Sequence, residues 1–147
     1  MKKLFHLVKR AVTSFSNDPL SGLDVARVER LLLLPEFELW WSMQPRDQRH
    51  SLQVYERFMR LYPPAKRTEQ AAALLHDVGK TISNLGWMMR IVATVVGPRG
   101  ISFSLYHDHE NLGVQMLQGI SEQRTLDLIG GLVDDVVMVA LRNADNV

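Results

Sequence analysis

The chain contains no cysteine among its 147 residues, which removes disulfides, thiolate metal sites and cysteine nucleophiles together. Any metal it binds must therefore be held by nitrogen and oxygen. Nor is there an excess of one charge sign. The 17 Lys and Arg against 16 Asp and Glu leave a formal charge of +1, so no overall field argues for nucleic-acid binding or for an acidic disordered tail. A long hydrophobic run is also lacking: the window LGWMMRIVATVVG falls far short of the ~20 residues that span a bilayer and carries Arg90 within it. The N-terminal MKKLFHLVKRAVTSF has the basic start of a secretory signal, but His6, Lys9 and Arg10 interrupt its apolar stretch. A soluble, cytoplasmic protein is the expectation. What is plentiful is core-forming material, with 46% hydrophobic residues in a chain of one-domain length.

The apolar residues recur mostly at helical spacing. Residues 4–15 form an amphipathic pattern with Lys2, Lys3, Lys9 and Arg10 as its charged complement, readable as a helix packed on the domain or as a basic helix for a membrane surface or partner. A short helix is expected from Asp24, as its cap, to Leu34, ended by Pro35. Of the adjacent Trp40 and Trp41, packing on a helix predicts one buried and one exposed, although both could stack on a base. RDQRHSLQVYERFMRLY places Leu52, Tyr55, Met59 and Tyr62 on one face of a helix that Pro63 and Pro64 close. TEQAAALLHDV predicts a helix with His76 and Asp77 in its last turns and Gly79 to stop or bend it. NLGWMMRIVATVVG, DHENLGVQMLQGI and SEQRTLDLIGGLV also read as helices, with GPRGISFS as a loop. In the last stretch, Val133, Val136, Val137, Ala140, Leu141 and Ala144 keep the helix period, and Asp134 and Asp135 suit its positive end. The expected architecture is all-α, with six to eight helices.

His50, His76, Asp77 and Asp145 each flank or follow an apolar face. Together they would make a cage of two imidazoles and two carboxylates, a donor set suited to Mn²⁺, Fe²⁺, Co²⁺ or Zn²⁺ with positions open to water. Taken singly, each also fits a plainer role, a hydrogen-bonded core histidine or a surface acid.

LLHDVGK after an alanine-rich helix, with RHSLQV upstream and LRNADNV downstream, resembles the HD-domain superfamily of metal-dependent phosphohydrolases, over about residues 45–147. LLPEFELWWSMQPRDQRHSL through LLHDVGK is similar to small bacterial HD-domain proteins. The resemblance implies an HD-domain-like helical bundle over residues 45–147, with residues 1–44 as a helical extension packed on it. It implies His50 as the first metal ligand, His76 and Asp77 as the namesake pair and Asp145 as the final aspartate. Asp77, Lys80 and His109 become the catalytic candidates: Lys80 can donate to a phosphate, and His109 with Glu110 and Gly113 matches the later histidine motif better than His107. The stretch LIGGLVDD stands where a further histidine pair would complete a second metal site, so one divalent ion is implied. The reaction implied is attack of metal-activated water on a phosphate ester of a small molecule, commonly a nucleotide. The alternatives are a non-catalytic HD-fold module that binds a nucleotide or partner for regulation, and a scaffold that meets a membrane through residues 1–16.

Overall fold

The computed structural model describes residues 18–79 and 109–146, with side chains in the second stretch from residue 113 onward. The expectations for residues 4–15, for NLGWMMRIVATVVG and GPRGISFS, and for Lys80 and His107 lie outside the described residues. The described residues form seven helices and no strand: α1 (Gly22–Leu31), α2 (Leu34–Trp41), α3 (Pro45–Leu61), α4 (Arg67–Leu75), α5 (His109–Leu117), α6 (Gln123–Ile129) and α7 (Val136–Asp145). The described residues are all-α, as their periodicity predicts.

α4 is the hub. It packs against α1, α2, α3 and α6, and Ala71, Ala72, Ala73, Leu74 and Leu75 are all fully buried. A helix enclosed on several sides must be apolar around its circumference, and three consecutive alanines let the neighbouring backbones approach closely. The surrounding core includes Val28, Trp40, Val54, Phe58, Leu117 and Leu128. Trp40 is buried and donates its indole N–H to the Ser51 hydroxyl at 2.8 Å, whereas Trp41 is exposed. A buried indole is tolerated only with such a partner.

Helix ends depart from the sequence reading in identifiable ways. α1 is capped by Ser21, not Asp24: the Ser21 hydroxyl accepts the Asp24 backbone N–H at 3.2 Å and donates to its carboxylate at 2.8 Å. Pro35 does not end that helix. It lies in the first turn of α2, where its missing N–H costs nothing, and α1 has already stopped at Leu31. Glu36, fully buried, takes the Leu33 N–H, the Arg67 guanidinium at 3.0 Å and the Ser121 hydroxyl at 2.7 Å, so its charge is compensated on both oxygens. The buried face of α3 is broader than expected, adding Ser51, Val54 and Phe58 to Leu52 and Tyr55, with Met59 and Tyr62 partly buried. At α7 the Asp135 carboxylate caps the Met138 N–H at 3.0 Å. That cap starts the helix in a register that exposes Val136 and buries Val137 and Met138 instead.

Candidate metal centre

Three segments bring the predicted ligands together. His50 projects from the second turn of α3; His76 and Asp77 follow the last residue of α4; Asp145 closes α7. α3 packs against both α4 and α7, which is what allows residues so distant in sequence to meet. The α4 helix ends one residue before the pair, so His76 and Asp77 lie in the turn that follows it and not in its last turns. The cause is local: the His76 ring bonds back to the Ala73 carbonyl at 2.8 Å, satisfying one of the orphan acceptors at the helix end, and the chain tightens into a short 3₁₀ turn at Val78 and Gly79.

A carbonyl can only accept, so His76 Nδ1 is the donor in that bond and Nε2 is the atom turned to the cluster. His76 Nε2 lies 3.4 Å from Asp77 Oδ2 and 3.3 Å from Asp145 Oδ1. His50 Nε2 lies 3.5 Å and 3.4 Å from the same two oxygens. One donor atom from each residue falls within 4.8 Å of all the others. Donors about 2.1 Å from one ion lie about 3.0 Å apart at right angles and about 3.4 Å apart at the tetrahedral angle. The four imidazole-to-carboxylate separations are therefore those of ligands on a shared ion. The His76 Nε2 atom is also buried and makes no hydrogen bond of acceptable geometry, despite two carboxylate oxygens nearby. A buried nitrogen aimed between two carboxylates fits a cation at the centre of the cluster. The donor set accommodates a divalent transition ion.

The electrostatics without an ion are consistent. Burial works to lower the pKa of His76, but Asp145 and Asp77 outweigh it and raise the ring to about 10, so in the metal-free protein the imidazolium offsets part of the carboxylate charge. The Asp145 carboxyl is held well below the usual carboxylate range, by His50 first and then His76. Asp77 is buried, whereas Asp145 and His50 are partly exposed, which leaves the cluster open on one side.

Comparison with known proteins returns no matching family model, no matching curated protein and no matching solved structure. The geometry thus stands by itself. Of the other predicted residues, Lys80 lies outside the described residues, and His109 opens α5 with its side chain likewise outside them. Gly113, one turn beyond His109, brings α5 against the end of the histidine-aspartate segment: a Cβ there would lie 3.5 Å from the Gly79 nitrogen and 3.6 Å from Val78. Asp135, in the stretch where a second metal pair was sought, is engaged as the α7 cap and as the partner of Arg124 at 2.8 Å. Among the described residues, the four-residue cluster is the single group able to hold an ion.

Two residues near the cluster were not singled out from sequence. Arg57 donates from Nε to the Ala144 carbonyl at 2.6 Å, pinning the turn of α7 that carries Asp145. The last turn of α7 is thereby tied to α3, and Ala144 is fully buried. A signal existed, because His50 and Arg57 stand at i and i+7 on one helix face. Arg142, one turn before Asp145, lines a cavity beside the cluster.

Proposed function

We propose that this chain is a metal-dependent phosphohydrolase of the HD-domain type, using one divalent ion, Mn²⁺, Fe²⁺, Co²⁺ or Zn²⁺, to hydrolyse a phosphate ester of a nucleotide or another small phosphorylated molecule. The observation that carries this reading is the convergence of His50, His76, Asp77 and Asp145 on one point, with the buried His76 Nε2 lacking a hydrogen bond. Such an ion, when bound, lowers the pKa of water to the neutral range and offsets charge on phosphoryl oxygens. The residues supply the rest. The Ala73 carbonyl fixes the His76 ring in the orientation that presents Nε2 to the cluster. Asp77 is the buried carboxylate of the set, suited to ligation and to taking up a proton from the attacking water. The sequence resemblance adds Lys80 and His109 as groups that contact the phosphate.

The test is metal content after chelator-free purification, measured together with phosphate release across a nucleotide panel. Metal and turnover lost together in His76→Ala and Asp77→Ala support the reading. Metal-free wild-type protein inert on every nucleotide, even after Mn²⁺ is added, rejects it. Bound metal with no turnover favours the second reading, a regulatory HD-fold module.

A further inference from the structure

The cavity beside the cluster is open to solvent on one side and is lined there by an exposed cation, Arg142, that ligation does not use. It encloses about 110 Å³ and is lined by His76, Asp77, Asp145 and Arg142 as its polar members, with Leu128 and Leu141 among the apolar ones. Arg142 projects from α7 one turn before Asp145. Among the described residues its guanidinium makes no hydrogen bond or ion pair, whereas Arg57, Arg67 and Arg124 are each engaged. It is also the only Arg or Lys among the described lining residues.

Charge gives Arg142 a purpose. The carboxylates of Asp77 and Asp145 neutralise a divalent ion, so the ligand set by itself offers an anion no net attraction. An adjacent guanidinium restores a positive field, and its planar fork matches two oxygens of a phosphate. Size then narrows the ligand. The cavity is well below the roughly 300 Å³ at which sites for drug-sized molecules begin, so it admits a single oxyanion group while the rest of a substrate stays outside. A phosphodiester, substituted on two sides, would have to pass an ester arm into the same small space. We infer that Arg142 and this cavity form a subsite for a terminal phosphate group, so that the substrate class is a phosphomonoester. The inference rests on the metal-dependent reading of the cluster.

Inorganic phosphate is the probe, titrated calorimetrically into the full chain with and without Mn²⁺, with protein-bound manganese measured in parallel. Wild-type protein should bind phosphate; Arg142→Gln should weaken binding at least about tenfold while manganese content and melting temperature stay unchanged, and Arg142→Lys should recover part of the loss. Phenyl phosphate should displace phosphate and diphenyl phosphate should not. Equal phosphate affinity in Arg142→Gln, or no phosphate binding by manganese-loaded wild type, overturns the subsite. Equal displacement by the diester overturns the monoester assignment. If wild type takes up no manganese yet binds phosphate in an Arg142-dependent way, the subsite stands and the metal reading fails.

Discussion

His76 serves two chemistries that exclude each other. As a metal ligand it must present a neutral Nε2; without metal, burial disfavours its charge but Asp145 and Asp77 raise its pKa to about 10. In the unfolded chain the ring titrates near its ordinary 6.5, so its contribution to metal-free stability is complete below that value and is lost as the pH climbs through about 10. Asp145, depressed, contributes above its ordinary 3.8 and loses that only in strong acid. In chelator, the urea midpoint should therefore fall from pH 6 to pH 10, and the fall should be absent in His76→Gln; the same profile in both proteins would refute this account. Titrating Mn²⁺ into the protein at pH 7 should release protons, a calorimetric signal that scales with the ionisation enthalpy of the buffer. That His50, His76, Asp77 and Asp145 come together was legible in the sequence, because each flanks or follows an apolar helix face. The hydrogen bond from His76 Nδ1 to Ala73 was not, since it depends on where α4 stops.

Helices were legible where their apolar period was long, as in α3 and α4, and their limits were not where a side-chain cap decided the register. Ser21 caps α1 in place of Asp24, and α7 starts after Asp135 with Val136 facing out. Contacts between helices had at most a partial local signature: the i, i+7 spacing from His50 puts Arg57 on the cluster's side of α3, but nothing within α3 announces that its acceptor is a carbonyl of α7. That bond suits the negative end of α7 as well as fixing Asp145. Arg57→Met should weaken Mn²⁺ binding on the order of 10-fold, as loss of a group supporting a ligand usually does, with Arg57→Lys intermediate and overall helicity by circular dichroism preserved. A competitive chelator titration measures it. Unchanged affinity in Arg57→Met would mean that the packing of Ala144 alone holds Asp145 in place.

An ion at this cluster would join α3, the turn after α4 and α7, three segments otherwise held by the shared core and, between α3 and α7, by the Arg57 bond to Ala144. Binding to the folded state alone stabilises by about 2.7 kcal/mol at a hundredfold excess over Kd. For a chain of this length that corresponds to roughly 5–10 °C in Tm. Saturating Mn²⁺ should raise the melting temperature by that amount in wild type, and chelator should reverse it; His50→Ala and Asp145→Ala should show no rise.

The all-round burial of α4 also ranks the motions of the molecule. Amides of Ala71–Leu75 are shielded by four neighbouring helices, so their hydrogens exchange with solvent only when the whole fold opens, while those of the last turn of α7, where Arg142, Asn143 and Asp145 are exposed, exchange through local fraying. His76 and Asp77 are thus attached directly to the slowest-exchanging part of the chain, whereas Asp145 closes a helix whose last turn is largely exposed. Two ligands keep time with global unfolding, and the fourth is held by Arg57 and by whatever the site binds.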